Sequence, residues 1–232
     1  MKLHRFIGDF DLTKPLLVSG DKELLNQIKN VLRLASGDRV VLVAGQGSEA
    51  IAEIDDLNKE ELSFRVLESR ASLSESDNFV TLYCSILKRE NFELVAQKAT
   101  ECGVKRIVPV ISGRTIKTGL KTDRLKKIIK EASEQSGRAV VPELGPISSL
   151  VEALREASTH GAILFFDPTG ERSFGKNSGS IGIFIGPEGG WEESEIQLAK
   201  ENRGQIVSLG SLTLRGETAA IVASYLAVNP IE

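Results

Sequence analysis

Two patterns of apolar residues follow one another along this 232-residue chain, and the spacing between apolar runs constrains the fold more than any other feature. Over residues 38–68 three β-rich runs stand close together: Val40-Val41-Leu42-Val43, Ala50-Ile51-Ala52-Glu53-Ile54 and Leu62-Ser63-Phe64-Arg65-Val66-Leu67. Only turn residues separate them, Gly45-Gln46-Gly47 and Asp55-Asp56, with Gly37-Asp38 ahead of the first. A parallel connection needs a crossover of about a dozen residues or more, so these runs must pair antiparallel, in a small barrel or sandwich. One helix interrupts this region: Asp21 can cap a segment whose Leu24, Leu25, Ile28, Val31 and Leu32 recur at helical spacing.

The serine-rich stretch 71–78 has no apolar period and reads as a linker. Beyond it the pattern becomes strand and helix in alternation. Strands are expected at 80–87, 107–111, 162–166, 181–185 and 205–209. Helices are expected at 91–102, where Phe92, Val95, Ala96 and Ala99 share a face, from Thr122 or Asp123 to Ser133, after a Ser148 or Ser149 cap, at 193–202 and at 217–227. Alternation of this kind specifies an α/β fold with a parallel sheet covered by helices. The expected division is therefore a β domain over 1–70, a linker over 71–78 and an α/β domain over 79–232.

Hydrophobic and charged fractions of 41% and 26% exclude disorder and fibrous repeats. No apolar run reaches the roughly 18 residues of a membrane span, and the first residues lack a signal peptide's apolar stretch, so a cytoplasmic location is expected. Cys84 and Cys102 sit in apolar surroundings without a second Cys or His at ligand spacing. They read as small hydrophobes, and no metal site is expected. The net charge of −3 conceals a local excess: residues 105–138 carry ten basic side chains (Lys105, Arg106, Arg114, Lys117, Lys121, Arg124, Lys126, Lys127, Lys130, Arg138) against three acidic ones. This is either a footprint for phosphates or a solvated helix face.

Ligands of parallel sheets bind outside the carboxyl ends of the strands, and two loops there have unusual composition. Ile185-Gly186-Pro187-Glu188-Gly189-Gly190 follows a strand; its glycines permit close backbone approach and Pro187 stiffens the turn. Glu188, and the lack of a following Lys and Ser/Thr, make it a poor phosphate cradle but suit a cationic ligand such as the sulfonium of S-adenosylmethionine. It also reads as a plain strand-to-helix turn. The second loop, Leu209-Gly210-Ser211-Leu212-Thr213-Leu214-Arg215-Gly216-Glu217-Thr218-Ala219, opens the last helix. Arg215 can fork onto a phosphate or carboxylate, or pair with Glu217 to tighten the turn.

These two segments, with Trp191, closely resemble the signatures of the RsmE family within the SPOUT superfamily. Arg5-Phe6, Val31-Leu32-Arg33-Leu34 with Gly37-Asp38, Lys88 through Glu93, Gln97-Lys98-Ala99-Thr100-Glu101-Cys102-Gly103-Val104, and Glu134-Gln135-Ser136-Gly137-Arg138 before Val141-Pro142-Glu143 extend the resemblance across nearly the whole chain. Glu192 departs from a common Ser or Thr helix cap. Ser136 departs from a common Cys, which argues against a catalytic thiol there.

The resemblance implies a PUA-like, RNA-binding N-terminal β-barrel and a C-terminal parallel sheet with a deep trefoil knot, an exception to the rule against threaded chains. It implies methylation of N3 of a uridine in 16S ribosomal RNA by S-adenosylmethionine, in a homodimer acting on ribosomal RNA or the small subunit. The cofactor is expected against Leu164, Phe165 and Phe166; Gly186, Pro187, Glu188, Gly189 and Gly190; Leu209, Gly210, Ser211, Leu212, Leu214 and Arg215; and Thr218 and Ala219. Expected RNA contacts are Arg5, Arg33, Lys88, Arg89, Arg114, Lys126, Lys127, Lys130 and Arg138.

Uridine N3 carries a proton that must leave, so a base and a charge-stabilising group are required. Arg215 can stabilise developing oxygen charge, and Glu217, Glu101 or Glu188 can take the proton. His4 and His160 read as surface or turn residues, and Trp191 either stacks near the substrate or packs a helix start. Alternative readings are another SPOUT activity, such as ribose 2′-O-methylation of transfer RNA, and a ribosomal RNA-binding module without catalysis.

Overall fold

The computed structural model describes residues 3–230 apart from 59, 72–74, 89, 117 and 173–178, and the chain divides into two units. Met1–Glu75 forms the first together with Ser133–Val141, a segment from mid-chain that the sequence division does not attach to it; Ser76–Ala132 and Pro142–Glu232 form the second.

The first unit is a five-stranded sheet. Its strands are β1 (His4–Ile7), β2 (Leu16–Ser19), β3 (Arg39–Val43), β4 (Ser48–Leu57) and β5 (Leu62–Ala71), in the order β1-β3-β4-β5-β2. The closely spaced runs β3, β4 and β5 pair antiparallel, as their short connections require; β1 pairs parallel with β3, which the long intervening stretch allows. Asp21 caps α1 (Lys22–Asn26), accepting from the Glu23 and Leu24 N–H groups at 2.8 and 3.2 Å. The helix does not keep its period: Gln27–Val31 widens into a π turn, with the Leu32 N–H bonded to the Gln27 carbonyl. After the widened turn Val31 is exposed, while Leu24 and Ile28 are buried and Leu32 packs against the core. Phe6, Phe10, Leu42, Ile54 and Phe64 fill the core, Phe10 meeting Phe64 edge to face.

Ser133–Val141 is bound into this unit by specific contacts. Glu134 accepts from the Ile7 N–H at 2.8 Å, Ala139 is buried with Ile7 and Val43, and Arg138 pairs with Glu75 at 2.9 Å.

In the second unit strands and helices alternate: β6 (Phe79–Ser85), α2 (Asn91–Cys102), β7 (Arg106–Ile111), α3 (Thr122–Ser136), β8 (Glu143–Leu144), β9 (Ser148–Ser149), α4 (Leu150–Ala157), β10 (Ala162–Glu171), β11 (Ser180–Ile185), α5 (Glu193–Glu201), β12 (Gln205–Val207) and α6 (Gly216–Val228). The sheet order is β12-β10-β11-β6-β7-β8, with β9 also on β7, and every pairing is parallel. Ser149 caps α4 in a capping box with Glu152. Gly103 ends α2 at φ 104°, where a side chain would be strained and would press on Val228 of α6. An aromatic ladder crosses the sheet: Tyr83 stacks on Phe184 at 4.5 Å, Phe184 on Phe165 at 5.5 Å, and Phe165 meets Trp191 at 4.3 Å. Beyond the area it buries, each such pair is worth about 0.5–1.5 kcal/mol.

Beside the ladder, His160 is buried rather than at the surface. Tyr83 donates to Glu156 at 2.8 Å, and the His160 ring nitrogens meet the Tyr83 hydroxyl at 3.1 Å and Ser180 Oγ at 2.5 Å. Gly182 is small because a Cβ there would stand 2.8 Å from the His160 ring.

Candidate cofactor cleft

The parallel strands β10, β11, β12 and β6 run side by side, and a bulge within β10 together with the segments after β11, β12 and β6 surrounds a cavity of about 720 Å³. Its first wall is the β11 loop. Gly190 N–H donates to the Pro187 carbonyl at 2.9 Å, closing a tight turn, and Gly190 takes the left-handed φ of 68° that favours glycine. A Cβ on Gly186 would lie 3.0 Å from the Trp191 ring, so this glycine is required for close approach. Trp191 is buried, and its Nε1 donates to the Phe166 carbonyl at 3.0 Å. It packs between the loops and also lines the cavity.

The second wall runs from Ser208 to α6. Ser208 Oγ donates to the Gly210 carbonyl at 3.0 Å, folding the loop back, and the Arg215 carbonyl accepts the first helical bond of α6 from Ala219 at 2.8 Å. Arg215 itself is exposed and lines the cavity. Glu217, in the first turn of α6, also lines it and is approached at 3.4 Å by Asn91 Nδ2. The third wall is a bulge in β10: Phe166 and Glu171 both pair with Val207, so Asp167 and Pro168 swing out to the cavity.

Most of the expected cofactor residues therefore meet around one space: Phe166, Gly186 to Gly190, Leu209, Gly210, Leu212, Leu214, Arg215 and Ala219 all line it. Leu164 and Phe165 lie buried behind it, and Ser211 and Thr218 are exposed outside the lining. Glu101 is not brought to the cavity; it pairs with Lys98 at 2.8 Å in the last turn of α2. Glu188 lines the rim and accepts the Lys88 N–H at 2.8 Å. Burial, with the Glu188 charge adding to it, pushes the Cys84 thiol well above its ordinary range, so it behaves as a small hydrophobe. Asn91, Asp167 and Trp191 also line the cavity. Asp167 carries no distinguishing pattern in the sequence, and Asn91 falls inside the Lys88 to Glu93 match without a role of its own, since which residues face a cavity depends on a bulge and on strand order.

The expected RNA contacts separate into three kinds. Arg33, Lys126 and Lys127 are exposed, Lys130 is half-buried, and Lys88 is exposed at the cavity rim. Arg5 is paired with Glu49 at 2.7 Å, Arg138 is buried against Glu75, and Arg114 donates to the Gly189 carbonyl at 2.7 Å. Arg89, and Lys117 of the basic stretch, lie outside the described residues. Among the described residues no three His, Cys, Asp or Glu side chains are grouped to hold a metal ion, and no helix is long and apolar enough to cross a membrane.

The cavity has the size of a small-molecule site, mostly apolar with a few polar groups at its rim. Three glycines, Gly189, Gly190 and Gly210, let backbone rather than side chains face the space, and the carboxylates of Asp167, Glu188 and Glu217 suit a cationic centre. A flat heterocycle joined to a sulfonium fits this lining.

Comparison with known proteins agrees with that chemistry. Residues 74–228 match the family described as RNA methyltransferase domain, and residues 23–67 the RNA methyltransferase PUA domain. The ribosomal RNA small subunit methyltransferase E of Rickettsia conorii is 31% identical over 205 residues, 86% of this chain and 84% of that protein. The crystal structure of a ribosomal RNA small subunit methyltransferase E from Neisseria gonorrhoeae bound to S-adenosyl methionine superposes with a TM-score of 0.89 at 33% identity, covering 96% of this chain and 95% of that one. A Legionella pneumophila protein solved with bound SAM gives 0.88 at 30%, covering 98% and 97%. A fold of this kind, a cleft with this lining and matches along nearly the whole length lead to one conclusion: the chain belongs to the family of the ribosomal RNA small subunit methyltransferases E, the RsmE family.

Proposed function

We propose that this protein methylates N3 of a uridine in 16S ribosomal RNA, using S-adenosylmethionine held in the cleft between the β10 bulge and the β11 and β12 loops. The observation that carries the reading is the convergence of the glycine turn at 186–190 and the 208–217 loop on one cavity, with the Arg215 cation and the Glu217 carboxylate at its rim. S-adenosylmethionine supplies an already activated methyl group, so the protein's work is to orient the base and manage its proton and charge.

Arg215 stabilises the charge that develops on the uracil oxygens as N3 loses its proton. Of the three carboxylates, Glu217 is the favoured proton acceptor. Glu101 lies away from the cavity, and Glu188 has one oxygen committed to the Lys88 N–H, whereas Glu217 faces the cavity with a long contact to Asn91. Arg33 in the N-terminal unit and Lys126, Lys127 and Lys130 on α3 bind phosphates.

The family resemblance adds a knotted path through the last strands and a dimer. Support for a partner beside the site comes from Leu212 and Tyr225, large apolar side chains left 81% and 53% exposed next to the cleft and on α6. The reaction belongs to the cytoplasm, where ribosomes are assembled. Mass spectrometry of 16S ribosomal RNA from cells with and without the gene tests the activity: a 3-methyluridine that disappears with the gene is expected, and an unchanged nucleoside profile defeats the assignment. Light scattering at assay concentration tests the dimer, and a monomeric mass for the active enzyme rules it out.

A further inference from the structure

The turn that follows β11 is tethered from outside, by a side chain in the loop between β7 and α3. Arg114 Nη1 donates to the Gly189 carbonyl at 2.7 Å, while the Gly190 N–H donates to the Pro187 carbonyl at 2.9 Å. The peptide unit joining Gly189 to Gly190 is thereby held at both ends. The Arg114 stem lies along Gly189 so closely that a Cβ there would stand 3.3 Å from its Cδ and 3.4 Å from its Cβ. The Arg114 loop is itself pinned. Thr115 Oγ1 accepts the Ser112 N–H at 2.9 Å, and the Gly113 N–H donates to Glu195 in the first turn of α5, also at 2.9 Å. On the other side of the turn, Glu188 accepts the Lys88 N–H at 2.8 Å.

Adjacent glycines have more backbone freedom to lose than any other pair, so a glycine wall is costly to order. A guanidinium donating to a carbonyl is a charge-assisted bond, stronger than a neutral one, and a wall ordered in advance spares the ligand that cost. We infer that Arg114 is a positioning residue of the methyl-donor cleft: it preorganises the 187–190 turn for the cofactor, and its charge is not an RNA contact. This rests on the reading of the cleft as an S-adenosylmethionine site.

The test compares the full-length protein with Arg114→Ala and Arg114→Lys, using calorimetry with S-adenosylmethionine, steady-state kinetics, RNA binding across a salt series, and melting. Arg114→Ala is expected to bind S-adenosylmethionine about tenfold more weakly, the loss of one charge-assisted bond. KM for the methyl donor should rise in step, kcat at saturation should change far less, and the salt slope of RNA binding should stay the same. Arg114→Lys, which keeps a donor without the fork, should recover part of the affinity. An unchanged cofactor affinity in Arg114→Ala overturns the inference; if the salt slope also falls by roughly 0.7–0.9, Arg114 is a phosphate contact instead. Should Arg114→Ala melt early, Arg114→Lys carries the test, and full affinity in that variant overturns the inference. Failure of the unaltered protein to bind S-adenosylmethionine would mean that the functional reading, and not only the role of Arg114, is wrong.

Discussion

The glycine loops and the basic stretch 105–138 are equally conspicuous in the sequence, and folding treats them in opposite ways. The loops converge on one cavity, with Ser211 and Thr218 left outside its lining. Four of the ten cations in the basic stretch meet partners within the chain: Arg106 pairs with Glu156 and Glu143, Arg124 with Glu93, Arg138 with Glu75, and Arg114 bonds the Gly189 carbonyl. Glycine and proline act on their own backbone, so a site made from them is local information. A long cation takes whichever carboxylate the fold brings near, and Glu156 and Glu75 are 50 and 63 residues away from their partners. A surplus of charge along a sequence is therefore not a surface potential.

Breaking Arg138 tests this contrast most severely. The Arg138 and Glu75 side chains are 5% and 14% exposed, so Arg138→Met takes the guanidinium from a largely buried carboxylate that keeps its bond from the Val140 N–H at 3.2 Å. The expected cost is about 3–5 kcal/mol in urea unfolding, with the salt dependence of RNA binding unchanged. A normal stability combined with a flattened salt slope would mean that Arg138 faces RNA after all, and the contrast would collapse.

At the cleft, Arg215→Ala removes a guanidinium but keeps the loop backbone. Methylation should fall roughly 10²-fold or more, the scale of removing one charge-stabilising donor, while cofactor affinity measured by calorimetry changes far less. Equal losses in both would assign Arg215 to cofactor binding.

A smaller effect is expected from the three lysines of α3. Reversing Lys126, Lys127 and Lys130 should lower the logarithmic salt slope of RNA binding by about 0.7–0.9 for each phosphate that is no longer neutralised. If the slope does not move, this part of the stretch is a solvated helix face.

The smallest effect concerns a polar cluster outside both regions. Burial is the main cause that lowers the His160 pKa from its ordinary 6.5, against an opposing pull from Glu156. The unfolded chain then binds a proton that the folded one refuses, so stability rises with pH across this range and is lost as the pH falls below 6.5. For a single group the slope cannot exceed about 1.4 kcal/mol per pH unit. Urea titrations between about pH 5 and 7, with His160→Asn as the control that flattens them, measure it; an identical slope in the variant places the linkage elsewhere.

The α/β alternation is legible in the sequence because each helix and strand writes its own period, and the caps at Asp21 and Ser149 because a cap is a bond across two or three residues. Where a reading depends on the period persisting, as at Val31, one π turn is enough to undo it. His160 reads as a surface or turn residue, and a lone histidine after a helix carries no sign of burial; the Tyr83 and Ser180 hydroxyls that satisfy it lie 77 and 20 residues away.

By itself, then, the sequence determined what local geometry can dictate: the antiparallel β region, the parallel α/β region, the ends of the helices, and two glycine loops able to bring backbone against a ligand. The tertiary structure alone decided which charges stay available. It also decided that Ser133–Val141 belongs with the N-terminal unit, that the β10 bulge turns Asp167 toward the cleft, and that Glu101 is kept from it. The reason is physical: backbone preference acts over a few residues, whereas burial and ion pairing depend on which distant groups the fold places within a few ångströms.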